Sequence, residues 1–214
     1  MACMKAVMLF WGFAALLANA QEEKKAETPA SLHRLGMNAF FKGEIQESLK
    51  FWDREIALFP ARAPYHWQRG LALYYADEFK KGTAQFVTHQ TVNRHDVENA
   101  VWHFLCVSKA EGGSIKKARK NLIPIVGDRR VPMKEIHDLF AGKGTEESVM
   151  GAAKTPNQLC YAHLYLGLYH EALGNEKKSL EHIRKSAVDF KMDHYMGRVA
   201  QVHLKLRAPK RIKK

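Results

Sequence analysis

The sequence predicts an all-α fold, a solenoid of helical pairs interrupted by an irregular helical insert and closed by a C-terminal capping helix. Three observations carry that expectation. From Ser31 onward apolar residues recur at three- and four-residue spacing, the signature of one buried helical face. Alternating, strand-like runs are scarce. A pattern returns with a period of about 34 residues, Leu35-Gly36 falling over Arg69-Gly70.

The first twenty residues predict a leader rather than a fold element. Lys5 stands in a short positive region, an apolar stretch runs from Ala6 to Leu17, and Ala18-Asn19-Ala20 precedes a polar run. That is the layout of a cleaved secretory signal, with cleavage near Ala20 and export to a periplasmic or extracellular space. A membrane anchor needs roughly 18 to 20 apolar residues, more than this stretch supplies. A lipoprotein signal sets Cys at the cleavage point, whereas Cys3 lies at the other end, so no lipid anchor is expected. Residues 21–30, QEEKKAETPA, read as a flexible polar linker.

The repeats follow in order. The first spans about 31–60, with Gly36, Gly43, Ile45, Ser48, Trp52 and Pro60; the second about 63–95, with Gly70, Phe79, Gly82 and Phe86. A third, slipped by two residues, fits 99–123 through Trp102, Leu105, Cys106, Gly113, Ile115, Ala118 and Leu122. The fourth fits 158–189 through Leu166-Gly167, Gly174, Ser179 and Ile183, and Thr155-Pro156-Asn157-Gln158 before it reads as a capping box with proline at the first helical position. Small residues at the eighth position of each pair let two helix backbones approach. Between the third and fourth copies, residues 124–154 break the pattern and read as a helical insert: Pro132 opens MKEIHDLF, Gly142 and Gly144 end it, and Thr145-Glu146-Glu147 starts another short helix. A last helix from Met196 is expected to cover the exposed face of the fourth pair, leaving 207–214 as a basic tail. Cys106 and Cys160 fall inside apolar helical patterns and either pair or remain buried thiols.

These residues resemble the tetratricopeptide repeat family, whose pattern runs W-x2-L-G-x2-Y, then A-x3-F, then P. The segments YHWQRGLALYYADEFKKGTAQF, EIHDLFAGKGTEESVMGAA and CYAHLYLGLYHEALGNEKKSLEHIRKSAVDF are similar in order to NlpI-type envelope tetratricopeptide proteins. The resemblance implies a non-enzymatic scaffold that binds envelope proteins, including cell-wall hydrolases and a protease. The absent lipidation cysteine departs from that group.

In such a stack the first helix of each pair lines the concave side. Counting from the small residue assigns His33, Met37, Phe40 and Phe41 to this surface, then Trp67, Leu71, Tyr74 and Tyr75, then Tyr161, Leu164, Leu168 and Glu171. His33, Met37, Phe41, Trp67, Leu71, Tyr74, Tyr75 and Tyr161 are the expected partner-binding residues, because aromatics with a polar edge anchor interfaces. The alternative is that the insert or the C-terminal helix folds into this groove and buries them. His33 and Met37 stand where some family members place a Lys/Asn carboxylate clamp, so chaperone-tail binding is not expected.

Catalytic and cofactor motifs are missing from the sequence. There is no GxSxG, no HExxH, no paired CxxC and no phosphate-cradling glycine loop, so no enzyme activity, metal or cofactor is expected. His163 and His170 stand two turns apart on one predicted helix, too far to share an ion without another ligand. The formal net charge of +12 suits acidic partners or anionic polymers and lipid surfaces. Basic runs at Lys116-Lys117-Ala118-Arg119-Lys120, Arg129-Arg130 and 210–214 are the candidate contacts, and no nucleic-acid module accompanies them. Other envelope or secreted proteins are the expected partners.

Overall fold

Several helix starts in this chain fall where a side chain satisfies a free backbone N–H group. In the computed structural model, which describes residues 28–208, helix α1 (Pro29–Lys42) opens on a capping box in which Thr28 Oγ1 accepts from the Ser31 N–H and Ser31 Oγ accepts from the Thr28 N–H. It therefore begins two residues before the expected Ser31, because Pro29 fits the first helical turn. The expected leader, most of the linker and most of the basic tail lie outside the described residues. The chain continues as α2 (Ile45–Leu58), a 3-10 turn (Pro60–Tyr65), α3 (Trp67–Tyr75), α4 (Phe79–Gln90), α5 (Val97–Lys109) and α6 (Ile115–Lys120). Next come α7 (Met133–Ala141), α8 (Glu146–Ala152), α9 (Pro156–Ala172), α10 (Glu176–Arg184), a π-helical turn (Lys185–Asp189) and α11 (Tyr195–Arg207). No strand occurs among the described residues, and the fold is all-α.

Consecutive helices pack as pairs: α1 on α2, α3 on α4, α5 on α6 and α9 on α10. The crossings share one construction. Gly36 lies under the Trp52 ring, Gly70 under Phe86 and Gly167 under Ile183, the bulky residue following its glycine by the same interval in all three pairs. A methyl at any of these glycines meets the covering side chain. The first helix then stops on a left-handed residue seven positions past the glycine: Gly43, Asp77 and Gly174, with φ of 78°, 59° and 77°. At each stop the next N–H returns to a carbonyl in the last turn, as in Glu44 to Ala39, Glu78 to Leu73 and Asn175 to His170. The slipped third pair has Gly112 in this conformation instead, and its Cys106 packs on Gly82 of the pair before it.

The insert joins this stack. Helix α7 lies on α5 and α9, with Phe140 edge-on to both Phe104 (5.1 Å) and Tyr169 (5.3 Å). Phe140 and Phe104 are fully buried, each contributing about 2 to 3 kcal/mol by removal of apolar surface from water. Helix α7 of the insert thus bridges the third and fourth pairs. Cys106 and Cys160 are both free and buried, and burial pushes both thiols up, so neither is a ready nucleophile. No helix among the described residues is long and apolar enough to cross a membrane.

Candidate functional site

Helix α11 decides what becomes of the aromatic groove. It covers α10 and the π-helical turn, as the sequence leads one to expect, and it also reaches α1 at the far end of the stack. Tyr195 enters the groove with its ring 4.9 Å from Phe41 and 4.6 Å from Trp67. The Arg198 guanidinium sits 3.6 Å above the Phe41 ring. The residue before α11, His194, stacks on Tyr161 at 4.9 Å with the rings nearly parallel.

Deeper in the groove the contacts become polar. The Tyr75 hydroxyl lies 3.1 Å from His203 Nδ1, and Tyr74 donates to Glu171 Oε2 at 2.8 Å. Glu171 is also within 3.6 Å of Lys109, His203 and Arg207. Burial drives His203 down to about 4, leaving a neutral imidazole between Tyr75 and Glu171. Leu71 and Tyr74 are wholly buried and Tyr75 nearly so, while Met37, Phe41, Trp67 and Tyr161 are half-buried against the core. Phe41, Trp67, Tyr74, Tyr75 and Tyr161 are therefore brought together under α11 and the residue before it, whereas His33 lies apart beside Glu55 and His66. An open aromatic surface is corrected to an intramolecular seam, because α11 would otherwise expose Met196, Val199, Ala200 and Val202, all buried here.

Beneath the seam lies a cavity of about 130 Å³ lined by Trp67, Phe86, Asp96, Glu98, Asn99, Trp102 and Met196. Its rim is a charged knot. Arg130 donates to Asp96 (2.7 Å), Glu98 (3.0 Å) and Asp128 (2.7 Å), and Tyr165 donates to Glu98 Oε1 at 3.0 Å. Burial pushes the Glu98 carboxyl up to about 7 despite the pull of Arg130. Arg130 is thus paired with three carboxylates although its side chain remains exposed, and Arg129 beside it is exposed as well. On α6, Lys116, Lys117, Arg119 and Lys120 are all exposed.

Two histidine clusters were not legible as clusters in the sequence. His182 on α10 stands between the two α9 histidines, 2.9 Å from His163 Nδ1 through its own Nδ1 and stacked 5.6 Å from His170. His170 Nε2 in turn meets Glu146 Oε2 at 3.0 Å. The second cluster joins His33, one of the expected groove residues, to Glu55 of α2 and His66 before α3. Glu55 follows Ser48 and Trp52 on the buried face of α2, and an acidic residue in that register was the available sequence signal.

A larger opening lies elsewhere. A cleft of about 670 Å³ lies between α9, α10 and α11, with Leu180, Ile183 and Leu204 as its apolar part and Lys109, Lys177, Arg207, Glu171 and Glu176 as its charged lining. This matches the general anatomy of a recognition surface, an apolar centre within a polar edge. No protein-family model matches the sequence, and no curated protein matches it significantly.

Proposed function

We propose that this chain is a non-catalytic, exported scaffold of tetratricopeptide type, resembling the NlpI-type envelope proteins, that holds other envelope or secreted proteins. The repeated glycine-to-bulky-residue crossing and the left-handed stop seven residues later support the repeat class. The observation that carries the binding role is the cleft between α9, α10 and α11. Its apolar floor, within a charged rim that carries Lys109, Lys177 and Arg207 beside Glu171 and Glu176, suits an amphipathic segment of a partner protein. The aromatic seam is not the docking place in this reading, since α11 already fills it.

The test is affinity capture from an envelope extract with the chain lacking residues 1–20, beside a Lys177→Glu, Leu180→Glu variant of unchanged helicity. Captured proteins are then purified and titrated against both forms. A direct partner whose binding is lost in the variant supports the scaffold and its cleft. Equal binding to both forms removes the cleft, and the absence of any direct protein partner removes the scaffold.

A second reading rests on α6, where four exposed cations stand within five positions. An anionic envelope polymer or lipid surface held there is released by rising salt, because exposed charges are screened over about 8 Å at physiological ionic strength. Binding that survives such salt and depends on Leu180 belongs to the cleft.

A further inference from the structure

Burying a carboxylate without full hydrogen bonding is costly, so a wholly buried glutamate calls for an explanation. Glu55 is wholly buried on α2. Arg62 on the 3-10 turn donates to its Oε1 at 3.2 Å. Its Oε2 accepts no hydrogen bond, and neither ring nitrogen of His66, itself 1% exposed, has a hydrogen-bond partner. His33 Nδ1 is likewise unpartnered.

These orphaned atoms face one another. His66 Nε2 is 3.1 Å from Glu55 Oε1 and His33 Nδ1 is 3.5 Å from Glu55 Oε2, near in distance but misdirected for N–H···O bonds. One ligand atom from each of the three residues lies within 4.8 Å of the other two. Ligand atoms about 2.0 to 2.1 Å from a tetrahedral ion stand about 3.3 Å apart, and each imidazole contact, His66 to Oε1 and His33 to Oε2, is close to that separation.

We propose that His33, Glu55 and His66 form a three-ligand site for a divalent transition-metal ion of the zinc class, which ties the first helical pair to the second. The donor set, two imidazoles and one carboxylate, is one that zinc accepts. Burial holds both imidazoles in the neutral form that can ligate. The outer shell fits as well. The Gln68 amide approaches His33 Nε2 at 3.4 Å and its Oε1 is unpartnered. With the amide turned so that Oε1 accepts from Nε2–H, the His33 Nδ1 lone pair is directed at Glu55. His33 is partly exposed and Arg62 more so, giving the ion an entry and a fourth position for water or a small anion. The positive Arg62 favours the anion.

The other cluster, Glu146, His170 and His182, lacks this feature, since its polar atoms are largely satisfied by His163, Asn175 and one another. It serves as the internal control. Tag-free chain lacking residues 1–20 is stripped with a chelator, then titrated with Co2+ while visible d–d absorption is recorded, and Zn2+ is added last. One equivalent of Co2+ is expected to give a tetrahedral band without thiolate charge transfer, discharged by Zn2+. His33→Ala, the mildest change because His33 is partly exposed, abolishes the band while helicity is retained. Gln68→Ala weakens Co2+ binding by about tenfold, the usual scale for an outer-shell partner. His170→Gln leaves the band intact. The proposal is overturned if wild type shows no stoichiometric binding, if the band survives in folded His33→Ala and His66→Gln, or if His170→Gln removes it. The readout is independent of any protein partner, so failure of the scaffold reading leaves it standing.

Discussion

Replacing Gly70 by alanine sets two effects against each other. In a helix interior the exchange gains about 1 kcal/mol from propensity and from a less flexible unfolded chain. At the α3–α4 crossing, however, the added Cβ falls 2.6 Å from Phe86 Cζ, 2.7 Å from Cε1 and 3.1 Å from Cε2. Phe86 is 1% exposed and cannot swing into solvent. Relief requires a shift of the ring or of the helices, and overpacking of this kind costs about 1 to 3 kcal/mol. Such close approach belongs to the upper part of that range, so the variant is expected to lose about 1 to 2 kcal/mol net. Gly151, near the end of α8, is the control: nothing lies within 4 Å of its added Cβ. Gly151→Ala is therefore expected to gain about 0.5 kcal/mol. Urea denaturation followed by helical circular dichroism measures both, with stability read from the midpoint at unchanged slope. A Gly70→Ala protein as stable as wild type, or shifted in the same direction as Gly151→Ala, would refute the close-crossing account of the repeat glycines.

The α11 seam and its buried ionisable groups give further tests. Tyr195→Ala is expected to cost about 3 kcal/mol by removing the ring that fills the space between Phe41 and Trp67. Tyr195→Phe, which deletes a buried hydroxyl without a partner, is expected to be neutral or to gain about 1 kcal/mol in the same urea assay. For pH, the signs of two groups oppose. His203 is lowered from 6.5 to about 4 in the folded chain, so its contribution is full above about 6.5 and is lost as pH falls toward 4. That range corresponds to about 3 kcal/mol. Glu98 is raised from 4.5 to about 7, so its contribution is full below 4.5 and is lost as pH rises through 7, by a similar amount. His203→Gln should therefore flatten the rise of stability with pH between about 4 and 6.5, and Glu98→Gln should steepen it between about 4.5 and 7. Unchanged slopes in both variants would show that neither group is perturbed by its surroundings.

Much of the helical layout is determined by local sequence. Thr155 and Gln158 form the expected capping box, Gly142 ends α7 in a left-handed turn, and Thr145 caps α8. These are interactions within four residues, and their chemistry is written in the residues themselves. The pairing of helices was also legible, because only a small side chain fits where two backbones cross.

Tertiary structure alone decided what happens to the faces those helices present. The aromatic residues of α1, α3 and α9 are a sequence property, but whether they meet solvent, a partner or their own chain depends on where α11 goes. Periodicity states that a face must be covered and leaves open by what. The same applies to His33, Glu55 and His66, which come from three separate elements and converge only when the first pair packs on the second. Arg130, read as part of a basic run, became the centre of three carboxylates for the same reason. Hydrogen bonds that span a few residues are fixed by the local sequence; contacts between residues far apart are fixed by how rigid helices stack, and only the folded chain displays that.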